Sequence, residues 1–146
     1  MTSPSPFAIL HATCVSIGKR GVLILGPSGS GKSDLALRLI DRGAMLISDD
    51  GVEVRAESGR AIASAPATIA GQLEVRGLGI VALPAYDEIP VSLCISLDSE
   101  RHRMPPDPLP VLSVAGLPVP MLALDPFEPS APIKVERGLA LYGLPA

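Results

Sequence analysis

Apolar residues along this chain come in short runs separated by turn residues. Residues 7–17 (Phe-Ala-Ile-Leu-His-Ala-Thr-Cys-Val-Ser-Ile) are β-rich and partly alternating, and Gly18-Lys19-Arg20-Gly21 hands them to a second run, Val22–Leu25. The pattern predicts a hairpin. Asp34–Arg42 sets Leu35, Leu37, Leu39 and Ile40 among polar residues at helical spacing, and Gly43 follows as a C-cap glycine does. Met45–Ser48 predicts a short buried strand that Asp49-Asp50-Gly51 terminates. Val52–Ala56 and Ala61–Ala65 flank the turn Glu57–Arg60 and predict a second hairpin. Between Pro66 and Leu83 the pattern weakens. Ile69–Leu73 allows a helical turn, whereas Glu74-Val75-Arg76-Gly77-Leu78-Gly79-Ile80 fits neither a strand nor a helix template. A segment that breaks both periods is a place to look for function. Val91–Leu97 predicts a strand, Ser99–Pro110 a polar, Pro-rich loop, and Val119–Leu124 a further strand. Ile133–Leu144 suits a helix or a strand equally. The order predicts an α/β domain with a central, mostly β sheet, hairpins and few helices, as a single unit spanning residues 1–146.

Chemistry enters with Gly26-Pro27-Ser28-Gly29-Ser30-Gly31-Lys32-Ser33, a G-x-x-x-x-G-K-S loop set between an apolar strand and a helical segment. That is the full context of a Walker A phosphate-binding loop. Gly26, Gly29 and Gly31 let the backbone curl so that N–H groups converge, and the helix start adds the positive end of its dipole. The expected ligand is a nucleoside triphosphate, with Lys32 on its terminal phosphates and Ser33 on Mg²⁺. Asp49 and Asp50 end the next strand, where open α/β sheets place ligands. A carboxylate there can accept the proton of an attacking hydroxyl. Successive strand residues point to opposite faces, so one of the pair suffices and the other reads as a turn residue before Gly51. Glu74 and Arg76 read from spacing alone as solvated loop charges, and His11 as a core or edge residue. Arg101, His102 and Arg103 read as a small anion-binding cluster or an exposed loop.

Composition narrows the class. The 146 residues are enough for one ordinary domain, and a net charge of -3 with no basic cluster or aromatic platform argues against a nucleic-acid surface. Aromatics make up 3%, so the core must come from Leu, Val, Ile and Ala, while the prolines crowded after Pro84 predict short elements there. Cys14 and Cys94 have no metal-ligand spacing and read as buried apolar residues of a reducing compartment. Neither a signal-like start nor a membrane-length apolar run is present, so the expectation is a cytoplasmic protein without a membrane partner. Ser3–Pro6 is expected to fray.

Three stretches in this order carry a resemblance: Gly26–Ser33, the R-G-x-x-L-I-x-D-D pattern of Arg42–Asp50, and Glu74–Ile80. They resemble the catalytic P-loop domain of the bacterial HPr kinase/phosphorylase family, closely over residues 8–83 and loosely beyond. The resemblance implies an ATP- and Mg²⁺-dependent serine kinase acting on the phosphocarrier HPr, with phosphorolysis as the reverse reaction, in the regulation of a phosphotransferase system. It implies that Lys32 and the loop backbone hold the phosphates, and that Ser33 and Glu74 bind Mg²⁺. It further implies that Asp49 is proton acceptor in one direction and donor in the other, with His11 and Arg103 in the active site. Glu74–Ile80 would serve both reactions, Pro132–Arg137 would bear on dephosphorylation, and the assembly would be a homo-oligomer, a hexamer in the family. Family members carry an N-terminal domain and C-terminal helices that contact HPr. This sequence is similar to the shortened alphaproteobacterial form, in which the kinase core is expected to persist. Two rival readings stand beside it. A small-molecule kinase of the shikimate or gluconate type also has an early acidic pair, but needs an arginine-rich lid where the Pro-rich stretch offers Arg101 and Arg103. A nucleotide-sensing module would bind ATP without turnover.

Overall fold

The computed structural model describes residues 7–146. The elements run β1 (Phe7–Leu10), β2 (Ala12–Ile17), β3 (Arg20–Leu25), α1 (Lys32–Asp41), β4 (Met45–Ser48), β5 (Val52–Glu57) and β6 (Arg60–Ser64). They continue with β7 (Gln72–Val75), β8 (Gly79–Ala82), β9 (Glu88–Ser96), β10 (Val111–Val114), β11 (Leu117–Ala123) and α2 (Ala131–Tyr142). This is the mixed, mostly β architecture that the sequence predicts. Ser3–Pro6, where fraying is expected, lies outside the described residues.

Direction in the sheet decides where the chemistry goes. β2 pairs antiparallel with both β3 and β4, so those two run the same way; β9 is parallel to β3, and β11 is parallel to β9. The carboxyl ends of β3, β4, β9 and β11 therefore share one edge with the amino end of β2. The strands of this centre are nearly continuous apolar runs because both of their faces are covered. Val15, Val22, Ile24, Leu93 and Ile95 pack with Leu35, Ala36 and Leu39 of α1 and with Val135 and Leu139 of α2. On the other face Cys14, Leu23, Ile47 and Cys94, with Val91 before the register shift of β9, pack with Val52, Val54, Ala61 and Ala63 of the β5–β6 hairpin, which folds across it. β9 changes partner at Pro90, a residue without an N–H to give to a ladder: Glu88–Pro90 pair with β6 and Val91 onward with β3. The approach is close enough that a Cβ on Gly21 would lie 2.6 Å from a methyl of Ile89 and 2.9 Å from the Pro90 carbonyl oxygen.

Four details differ from the sequence reading. Residues 7–17 are two strands, not one, and they break at His11, because β1 leaves to pair with β5 while β2 enters the central sheet. Ile69–Leu73 forms no helical turn of its own: residues 67–71 are a turn, and Leu73 is already in β7. Glu74–Ile80 is a small hairpin, β7–β8, separate from the main sheet. Its tip is made by Gly77 and Gly79 at φ +89° and +101°, a region closed to most L side chains. The undecided tail is the helix α2, with Pro132 in its first turn and Ala131, Val135 and Leu139 buried at helical spacing.

Candidate active site

The loop Gly26–Gly31 leaves β3 at the shared edge and enters α1 at Lys32. Gly31, at φ +101°, is the residue immediately before the helix, and a Cβ there would sit 3.3 Å from Pro126 and 3.4 Å from the Phe127 ring. The Lys32 side chain curls back under the loop. Its ammonium donates to the carbonyl oxygens of Gly26, at 2.8 Å, and Pro27, at 3.1 Å, while only 5% of the residue is exposed. Burying an ammonium with carbonyl partners alone is costly, and a phosphate at the loop would supply the missing counter-charge.

The acidic pair stands opposite. Asp49, 7% exposed, accepts three hydrogen bonds: Oδ1 from the hydroxyls of Ser33 at 2.6 Å and Thr13 at 3.0 Å, and Oδ2 from the Glu74 backbone N–H at 3.0 Å. Among the described residues no Lys, Arg or His forms an ion pair with it. Asp50 is different. Its φ of +54° takes it off the strand path, so the alternation expected of strand neighbours does not apply. Its side chain, about half exposed, meets His11 Nε2 at 2.6 Å. Its backbone N–H donates to the Thr13 hydroxyl at 3.3 Å, and the next turn is closed by Gly51 N–H to the Ala12 carbonyl at 2.9 Å. Thr13 thus holds both aspartates, donating a hydrogen bond to one and accepting one from the other's backbone. A lone threonine in an apolar strand gave no sign of this; only the β2–β4 pairing, with Cys14 opposite Ser48, brings it there.

The resulting cleft has a volume of about 450 Å³. Ser28, Gly29 and Gly31–Asp34 form one wall, Asp50 with Glu74, Val75 and Arg76 of the β7–β8 hairpin another, and Leu37 and Phe127 complete it. Of the residues expected at the site, the structure brings together the loop, Lys32, Ser33, Asp49, His11 and Glu74. Arg103 does not line this cleft; it lines a second one of about 380 Å³, between the 99–110 loop, β11 and α2. Among the described residues no group of three or more His, Cys, Asp or Glu side chains is arranged to hold a metal ion. The oxygen donors that line the cleft are the Ser33 hydroxyl and the carboxylates of Asp34, Asp50 and Glu74, the ligand type that hard cations take. Phe127 and Thr13 are the lining and positioning residues that sequence reasoning missed.

Residues 4–102 match the family described as HPr Serine kinase C-terminal domain. The chain belongs to this family. A protein named HPr kinase/phosphorylase from Clostridium tetani is 46% identical over 81 residues, 56% of this chain and 27% of that protein. HPr kinase/phosphorylase 1 of Oceanobacillus iheyensis is 37% identical over 143 residues, 92% of this chain and 44% of that protein. The chain thus spans less than half the length of these relatives. A solved structure titled Hpr(Ser) kinase/phosphatase, from Coxiella burnetii, superposes with a TM-score of 0.79 at 29% identity, covering 91% of this chain and 88% of that one. The family match ends at residue 102, before β10, β11 and α2, yet both the Oceanobacillus iheyensis relative and the Coxiella burnetii structure match over more than nine tenths of the chain and so continue into that region.

Proposed function

We propose that this chain is a single P-loop domain that transfers the terminal phosphoryl group of ATP, with Mg²⁺, to a serine hydroxyl of the phosphocarrier HPr. Phosphorolysis of the phosphoserine is the reverse reaction, in a cytoplasmic, homo-oligomeric regulator of a phosphotransferase system. The observation that carries this reading is the 2.6 Å contact between Ser33 and Asp49, which joins the phosphate loop to the acidic strand end at one sheet edge. Mg²⁺, when bound, would offset the charge gathering on the transferred group. Ser33, with Asp49 and Glu74 beside it, is the set that would hold the metal. Lys32 would leave the Gly26 and Pro27 carbonyls for the terminal phosphates, joined by the loop N–H groups and the amino end of α1.

Two aspartates divide the remaining work. The serine oxygen attacks the terminal phosphorus, the bond from that phosphorus to ADP breaks, and the serine proton goes to a carboxylate. Asp49 is the residue that the sequence and its resemblance favour for that proton. Its burial and its three hydrogen bonds support a holding role instead, while exposure at the cleft and the His11 contact support Asp50 as the acceptor. The three readings separate when ATP labelled in its terminal phosphate is incubated with the protein, Mg²⁺ and HPr. Label on an HPr serine supports the proposal; label on a small metabolite, or none on any acceptor, overturns it.

A further inference from the structure

Resting on that reading of the cleft, we infer that Phe127 is the platform on which the nucleotide's base stacks. Four observations place it there. β11 runs parallel to the phosphate-loop strand two positions away, so the segment after it, Leu124–Ser130, ends at the same edge as the loop. Ligands of open α/β sheets lie outside those carboxyl ends. Within the segment Phe127 turns its ring outward, 71% exposed, and among the described residues it is the only aromatic side chain lining the cleft. The ring stands at the exit of the phosphate loop, where the missing Cβ of Gly31 leaves backbone alone beneath it.

A single exposed aromatic is common on protein surfaces and by itself means little. The backbone that carries this one is tied down at three points. The Phe127 N–H donates to Asp125 Oδ1 at 2.9 Å, and Arg38 of α1 donates to the carbonyls of Pro126 and Glu128 on either side. A guanidinium that is itself paired with Asp34 therefore fixes the segment to the phosphate-loop helix. Those bonds hold in place the backbone from which the ring projects. A fixed aromatic face beside a phosphate cradle matches a molecule with a flat ring joined to a polyphosphate. It adds affinity through the base and nothing through the phosphates.

That separation gives the test. Affinity for ATP and for inorganic tripolyphosphate, each with Mg²⁺, is measured for the full chain and for Phe127→Ala and Phe127→Leu. The expected result is about a tenfold loss of ATP affinity in both variants, the order of one base–aromatic stack, with tripolyphosphate affinity held within about twofold. The chain contains no tryptophan, so Phe127→Trp also introduces a unique fluorophore. Its emission should change on saturation with ATP and not with tripolyphosphate. Equal losses for both ligands, or no loss for either, would overturn the stacking role while leaving the phosphate site standing. A wild-type chain that binds neither ligand would overturn both.

Discussion

Asp49 and Asp50 are adjacent yet chemically distinct, and the difference lies in one backbone angle. With its φ of +54°, Asp50 leaves the strand and faces His11, while Asp49 stays behind under Ser33, Thr13 and the Glu74 amide. Asp49→Asn keeps an oxygen to accept from Ser33, but its NH₂ cannot accept from the Glu74 N–H, so one contact becomes a clash of donors. The expected outcome is a several-fold rise in the Mg²⁺ concentration needed for half-maximal transfer, read from a metal titration, with nucleotide binding still measurable. Thr13→Val keeps the shape and removes the hydroxyl that both aspartates use. Transfer should fall about tenfold or more, and Thr13→Ser should restore it, since a hydrogen bond to a charged group contributes about 1.5–3 kcal/mol. The sequence made the acidic pair legible, but not which member faces the cleft. Strand alternation presumes both residues are on the strand, and a left-handed residue breaks that presumption.

At the scale of elements, the β7–β8 hairpin is the part whose behaviour depends most on few contacts. It is outside the main sheet, its tip residues Leu78 and Ile80 are exposed, and it is anchored by the buried Leu73 beneath α1 and by Glu74 N–H on Asp49. Leu73→Ala should therefore loosen the hairpin before it unfolds the domain, at a cost of about 2–5 kcal/mol for a buried leucine. Hydrogen exchange should quicken at Glu74–Ala82 with little change in β3 or β9. A uniform rise across the sheet would contradict the anchoring role. The central strands were readable as short continuous apolar runs, and α1 and the β5–β6 hairpin by their periodicity and turn glycines, all of which are local signals. The β7–β8 hairpin was not, because its two glycines and exposed apolar residues carry no alternation. The tail helix was ambiguous for another reason: Gly138 in its interior weakens helical propensity, and its packing under Leu122 and Leu93 decides the matter.

For the whole molecule, the site exists because four strands deliver their carboxyl ends to one edge, and the two-faced core fixes those strands in place. Cys14 and Cys94 report on that core. Both are buried on the face covered by the β5–β6 hairpin, and burial raises the two thiols, Cys94 to about 12 and Cys14 further, with Cys94 also raising Cys14. In the native state they stay protonated where an unfolded chain would ionise them, near pH 9. The unfolded state then binds fewer protons, so stability is intact below about pH 9 and falls above it, by at most about 1.4 kcal/mol per pH unit for each thiol. Melting curves from pH 7 to 11 should show this decline, and Cys14→Ala should flatten it. Neither cysteine should react with a thiol reagent until the domain unfolds. No helix among the described residues is long and apolar enough to cross a membrane.

The division of labour between the aspartates is tested most directly by pairing two measurements on Asp50→Asn: MgATP affinity, and the single-turnover rate of phosphoryl transfer to HPr. Binding should stay within about twofold of the parent chain while the transfer rate falls by about 10²–10⁴, the contribution of a positioned proton acceptor. An Asp50→Asn chain that transfers phosphate at the parent rate would contradict that division.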